Sequence, residues 1–198
     1  MTDPTLDPAE PDEIAEERDE DAFIGDAAAA DADDAADEES DGESTLRVTV
    51  AVPEQAEAVY DVLRRSFAEQ ATLNPPTGVT GETVATITAA IDSGQTIVAL
   101  LDGEVVGTVR YNLLSDSLHL GRLGVLPEHR RSGVATALIE WCQEVLAPAE
   151  GRTIIDVEVR AALPANVNLF RGLGFTEIGS YAHPRNPKAT VRKLRWRA

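Results

Sequence analysis

The run Leu123-Gly-Val-Leu-Pro-Glu-His-Arg-Arg-Ser-Gly-Val-Ala135 governs the reading of the whole chain. An apolar strand ends at Leu126, Pro127 stops it, and Gly133 opens a helix. Between them the backbone has to turn sharply with its N–H groups unpaired. Unpaired amides at a helix N-terminus, with the helix dipole behind them, form an anion site. Gly133 lets the backbone approach a phosphate with no Cβ in the way. Ala135 keeps the first turn slim, and Arg130 and Arg131 add positive charge at the rim.

Working outward, residues 118–126 form the strand before this turn and residues 133–147 the helix after it. Val134, Ala137, Leu138, Trp141, Val145 and Leu146 share one side of that helix at helical spacing. Residues 152–160 read as the next strand, so 118–160 is a strand–helix–strand unit with a parallel pair. Upstream, Asp102-Gly103 joins strands 95–101 and 104–113 in a hairpin. Residues 46–52 alternate as a first strand. Pro53 then starts a helix carrying Ala56, Val59, Tyr60, Leu63 and Phe67. Asn74-Pro-Pro-Thr-Gly78 breaks it, and Thr80 is positioned to cap a second helix bearing Val84, Ile87 and Ile91. Downstream, residues 166–173 form a short helix closed by Gly174, and strands at about 175–183 and 189–196 finish the chain. The order β-α-α-β-β-β-α-β-α-β-β implies an α/β (α+β) domain. Its centre is a mixed, mostly antiparallel twisted sheet of about seven strands with helices on both faces.

Charge divides the chain in two. The net charge is −18. Residues 1–45 hold 19 acidic side chains and one basic, Arg18, whereas residues 46–198 hold 16 of each. The first 45 residues have almost no large apolar groups beyond Leu6, Ile14, Phe23 and Ile24. They cannot bury enough surface to offset the entropy of ordering, so 1–45 is expected to be a disordered acidic tail ahead of the 46–198 domain. No signal-peptide pattern and no bilayer-length apolar run are found, so a soluble, cytoplasmic protein is expected, with no membrane partner. The folded part is charge-neutral, which gives no reason to expect nucleic acid. The basic run of residues 191–197 is expected to be the solvated face of the last strand. One cysteine, Cys142, excludes a disulfide framework and a multi-cysteine metal site, and no metal is expected.

The spacing Arg-x-x-Gly-x-Ala after Val-x-Pro resembles the motif of the GCN5-related N-acetyltransferase superfamily. Leu163-Pro-Ala-Asn-Val-Asn-Leu-Phe-Arg-Gly-Leu-Gly-Phe175 resembles that family's fourth-helix motif ending in Gly-Phe. The resemblance covers nearly all of 46–198. It implies the acyl-CoA N-acyltransferase fold, in which dimers are common, so a homodimer is compatible. It also implies acetyl-CoA as acyl donor and transfer of its acetyl group to an amine of a small molecule or peptide. By the same resemblance, the backbone of Arg130, Arg131, Ser132, Gly133, Val134 and Ala135 holds the CoA pyrophosphate. The edge formed by Leu123, Gly124 and Val125 pairs with the pantetheine, and Asn166 and Phe170 line its thioester end. The strands are expected to splay there. The amine attacks the thioester directly, with the Val125 N–H as oxyanion donor.

That chemistry needs a base and a proton for the departing thiolate. Many family members place a tyrosine four residues before the glycine of Gly-Phe, where this chain has Phe170, which has no proton to give. Tyr181 and Tyr111 are the candidate substitutes. His119 is the candidate base: on a regular strand it shares a face with Gly121, Leu123 and Val125, and imidazoles in general titrate near neutrality. Glu69 and Glu82, flanking the 74–78 break, are further candidates. The acceptor pocket is expected between residues 67–82, Tyr111 and residues 181–188. Phe170 and the acidic tail also motivate a contrasting reading, a non-catalytic acyl-CoA-binding regulatory or interaction module.

Overall fold

The computed structural model describes residues 44–198. The expectations for residues 1–43 lie outside them. Seven strands form one sheet: β1 (Leu46–Val50), β2 (Thr96–Leu101), β3 (Glu104–Leu113), β4 (Leu118–Val125), β5 (Ile154–Arg160), β6 (Thr176–His183) and β7 (Asn186–Arg197). Their order is β1-β2-β3-β4-β5-β7-β6. Only β4 and β5 are parallel; the other neighbours are antiparallel. The helices are α1 (Ala56–Ser66), α2 (Val84–Asp92), α3 (Val134–Trp141), α4 (Ala147–Ala149) and α5 (Pro164–Gly172). The mixed sheet with helices on both faces is the architecture that the residue pattern implied.

Local chemistry accounts for most of these elements. Asp102 and Gly103 both have positive φ, 51° and 90°, as a two-residue hairpin turn with the right twist requires. The cap of α2 is Thr83, not Thr80: Thr83 Oγ1 accepts the Thr86 N–H at 3.2 Å, while Thr80 lies in the preceding 3-10 turn, Gly78–Gly81. Helix α3 runs into a π-helical turn, Cys142–Leu146, in which the Ala147 N–H reaches the Cys142 carbonyl. This wider turn shifts the helix phase ahead of Pro148, whose ring a regular α-helical turn would crowd. The shift corrects the expected apolar stripe: Cys142, Leu146 and Ala147 are buried, whereas Val145 is 46% exposed.

On one face of the sheet, Ala56, Val59, Leu63, Phe67, Ile87 and Ile91 pack with Val98 and Leu100. Elsewhere in the core, Val134, Leu138 and Ile139 of α3 and Val167 and Phe170 of α5 pack with Ile97, Ala99, Leu120, Leu123, Val125, Val157 and Val159. Three cations of the β7 run are paired: Arg192 with Glu177, Lys193 with Glu158 and Arg195 with Asp156, so this strand is not a simple solvated basic face. Among the described residues, no helix is long and apolar enough to cross a membrane.

Candidate active site

The centre of the site is an irregularity in β4. Arg110 pairs with Gly121 and Thr108 with Gly124, so three steps on β4 oppose two on β3. The extra residue is a β-bulge at Arg122, whose φ of 53° is left-handed. The bulge reverses the inward–outward alternation, which corrects the expected face-sharing. Leu123 and Val125 join Leu118 and Leu120 in one core cluster. Gly124 instead faces α1, where a Cβ would collide with Ser66 Oγ. His119 and Gly121 therefore lie on the face opposite the Leu123 and Val125 side chains.

Beyond the bulge, β4 and β5 part. Their pairing runs only from Leu118↔Ile155 to Leu120↔Val157, although both strands continue. The Leu126 N–H is bonded to Val106 of the loop side of β3 at 2.9 Å. By alternation, the amides of Leu123 and Val125 point away from β3 and into the gap. A bulge bends its strand, which accounts for the parting.

The gap leads to the turn before α3. A 3-10 turn, Pro127–His129, is closed by the Arg130 N–H on the Pro127 carbonyl and by Ser132 Oγ on the His129 carbonyl at 2.6 Å. Arg131 and Gly133 then take left-handed φ of 64° and 82°. No atom lies within 4 Å of a Cβ built on Gly133, so backbone conformation, not space, requires glycine there. The next amides, of Val134 and Ala135, are the unpaired first donors of α3. Arg130 is tied to the end of α1 by Nη2 on the Ser66 carbonyl at 3.1 Å and to the 3-10 turn that follows by Nη1 on Glu69 at 3.2 Å. Arg65 holds Glu128 at 2.8 Å. The arginine expected as a free rim charge thus fastens the turn, and Glu69 is its exposed partner. Arg131 is exposed. Asn166 and Phe170 are both fully buried in α5, and Phe170 meets Phe175 edge-on with ring centroids 5.1 Å apart.

A cavity of about 1140 Å³ opens over the C-terminal half of the sheet, lined by His119, Asp156, Glu158, Tyr181, Lys193 and Arg195 among others. These side chains come from neighbouring strands by register: His119 beside Asp156, Asp156 beside Arg195, and Glu158 beside Lys193. Arg195 grips Asp156 with two hydrogen bonds, 2.7 and 2.8 Å. Tyr181 Oη donates to Glu158 Oε2 at 2.6 Å, and Lys193 Nζ lies 3.6 Å from Oε1 and 5.1 Å from the Tyr181 ring centre. His119 and Tyr181, distant in sequence, share this cavity. Glu158 joins them; a lone acidic residue in an alternating strand carried no signal of its own. The frame expected for the acceptor pocket coincides with this cavity only in part. Tyr111 lies in the core away from this cavity, and its hydroxyl bonds Glu150 at 3.3 Å. Burial, then Glu150, pushes its phenol up from its ordinary range. Residues 67–82 do not line the cavity, whose far wall is the β3–β4 turn of residues 113–117. The 74–75 segment is instead held by Arg160 on the Pro75 carbonyl and by Asn186 on the Asn74 carbonyl.

Glu82 is buried between two arginines. Its Oε1 accepts from Arg110 Nη1 and Arg122 Nε, each at 3.0 Å, and its Oε2 from Thr86 Oγ1 at 2.8 Å. Burial pushes its carboxyl upward, but the two arginines and Thr86 outweigh this and hold it below the usual carboxylate range. Held this way, the carboxylate ties β3 and the bulge of β4 to the segment that starts α2. A depressed carboxylate contributes stability above its unfolded pKa, lost as pH falls through the folded value. The melting-temperature gap between wild type and Glu82→Gln is therefore expected to be widest near neutrality and to close between about pH 5 and pH 3. A gap that stays constant in thermal melts across that range would contradict this. Cys142 is fully buried and its thiol is pushed up to about 12, which makes it unreactive. Among the described residues, no group of three His, Cys, Asp or Glu side chains is placed to hold a metal.

Comparison with known proteins gives a family. A model of the acetyltransferase (GNAT) family matches residues 56–175. A curated relative, the N-alpha-acetyltransferase of Sulfurisphaera tokodaii, is 29% identical over 98 residues, 43% of this chain and 59% of the relative's length. The fold is shared with several solved structures. The PaiA N-acetyltransferase from Thermoplasma acidophilum, in complex with coenzyme A, superposes with a TM-score of 0.67 at 12% identity, covering 78% of this chain and 99% of that one. For yncA from Salmonella typhimurium, with its cofactor acetyl-CoA, the values are 0.66, 15%, 78% and 94%. For Ard1 from Thermoplasma volcanium they are 0.64, 18%, 77% and 97%.

Proposed function

We propose, from the premise that the chain belongs to the acetyltransferase (GNAT) family, that it transfers an acetyl group from acetyl-CoA to the amine of a peptide or small molecule. The observation that carries this reading is the gap between β4 and β5, which runs into the amide-rich turn before α3. The pyrophosphate lies against the turn of residues 130–135, where the first amides of α3 and its dipole favour an anion. The pantetheine pairs with the free edge at Leu123 and Val125, leaving the acetyl group beside the bulge. Two of the structures that share this fold hold coenzyme A or acetyl-CoA, which supports acetyl-CoA as the donor.

The acceptor enters from the cavity on the other side. Its nitrogen bonds the thioester carbonyl carbon, the oxyanion is met by the Val125 N–H, and the C–S bond breaks. His119 takes the amine proton. The Tyr181 hydroxyl, which donates to Glu158 at rest, turns to give its proton to the thiolate in place of the phenol that Phe170 lacks, and the proton taken up by His119 is passed back to Tyr181 through solvent. Coenzyme A thiolate is a tolerable leaving group near neutral pH, so this last step is the least demanding. The alpha-amino specificity named for the Sulfurisphaera relative favours a peptide N-terminus among the acceptors to be tried first.

Thiol release from acetyl-CoA, measured over a panel of peptides with free N-termini and of small-molecule amines, tests the reading. Amine-dependent release supports it. Tight acetyl-CoA binding without release by any amine would favour the non-catalytic module instead. For the donor site itself, Gly133→Ala places a Cβ at a φ of 82° and is expected to weaken acetyl-CoA binding by about tenfold. Calorimetric titration giving wild-type affinity would remove the turn from the donor site.

A further inference from the structure

The transfer chemistry leaves unused the ion-pair cluster at the bulge of β4. Arg122 holds a left-handed backbone at φ 53°. Long side chains avoid that region, and a residue stays there only where its surroundings over-determine it. Here the constraint is visible: the Arg122 side chain is 7% exposed, and its Nε is 3.0 Å from the equally buried Glu82. Glu82 cannot easily follow Arg122 elsewhere. It is also held by Arg110 and Thr86, and the next residue, Thr83, caps α2. The anchor is thus built on a helix start, outside the sheet whose shape it fixes.

That shape matters because side-chain and amide directions along a strand alternate with a period of two. With one extra residue at Arg122, the amides of Leu123 and Val125 face the gap. If the strand returned to a regular pleat, their directions would invert beyond that point. We propose that the Glu82–Arg122 ion pair is a positioning device, holding Arg122 left-handed so that the Leu123 and Val125 amides are presented to the acyl donor. This rests on the donor reading above, in which those two amides receive acetyl-CoA.

Arg122→Ala and Arg122→Gly test it, because both delete the guanidinium but only glycine adopts positive φ without cost. Acetyl-CoA affinity and kcat/KM are measured at a temperature where each variant is shown folded by its thermal melt. Arg122→Ala is expected to lose about tenfold in both quantities, while Arg122→Gly stays within about threefold of wild type. Glu82→Gln should fall with Arg122→Ala, and adding Arg122→Gly to it should restore function. This second pair keeps the test open if Arg122→Ala does not fold. Equal losses in the alanine and glycine variants would overturn the proposal, as they would assign the effect to the side chain itself. Wild-type behaviour of both variants would overturn it too. A wild-type chain that does not bind acetyl-CoA would instead refute the donor reading, and the proposal with it.

Discussion

His119→Ala is expected to lower kcat for amine-dependent thiol release by about a hundredfold while leaving acetyl-CoA affinity unchanged, the signature of a lost general base. The separation of the two effects follows from where each partner is held. In the proposed site the donor is gripped by backbone amides from Leu123 to Ala135, which the substitution does not touch. His119 stands before the bulge, on the other face of β4, and lines the cavity from which an acceptor would come. Steady-state kinetics with the best amine from the panel, together with calorimetric titration of acetyl-CoA, read both quantities. An unchanged kcat would pass the base role to Glu158 in the same cavity, and a matching loss of donor affinity would make His119 structural.

Gly107→Val should give the largest loss of stability, about 3 kcal/mol by overpacking. That corresponds to a melting temperature lower by about 6–12 °C for a domain of this size. A Cβ at Gly107 would lie 2.7 Å from Val134 Cγ1, 3.1 Å from Leu138 Cδ1 and 3.4 Å from the Gly124 carbonyl. Two of these contacts belong to the first two turns of α3, and the third is backbone in β4, so yielding would displace the helix start at the donor turn. The β-branched side chain suits a strand, but that preference spans only about 1 kcal/mol. Gly179→Val in β6 is the matched control, since nothing lies within 4 Å of its Cβ. Equal melting temperatures for the two variants would refute the packing argument.

The element order was legible in the sequence because each element carries its own periodicity and punctuation. Asp102-Gly103 and Gly133 are examples where a backbone conformation demands a particular residue. The bulge was not legible, since alternation assumes a regular pleat and Arg122 looks like one polar residue in an apolar strand. Its signature is an angle and a partner forty residues upstream, and neither is local. The charged ladder of Asp156, Glu158, Lys193 and Arg195 was hidden for a related reason. Each residue reads as the wet side of an alternating strand until β7 is inserted between β5 and β6. The same insertion brings Tyr181 to Glu158. In the sequence Glu69 and Glu82 are candidate catalytic carboxylates beside the 74–78 break, and only the fold shows that each is held by arginine.

The parting of β4 and β5 also divides the molecule as a mechanical object. Five to seven register pairs join every other neighbouring pair of strands, and three join these two. Backbone cohesion is therefore weakest along one internal seam, with β1 to β4 on one side and β5, β7 and β6 on the other. Side chains packed across it, Leu120, Leu123, Val157 and Phe170 among them, carry what the ladder does not. Partial opening along that line breaks fewer backbone hydrogen bonds than opening anywhere else in the sheet, which makes it the natural border between two cooperative units. Any molecule that bridges the seam stitches those units together, so its binding energy and the integrity of the fold are linked by mass action.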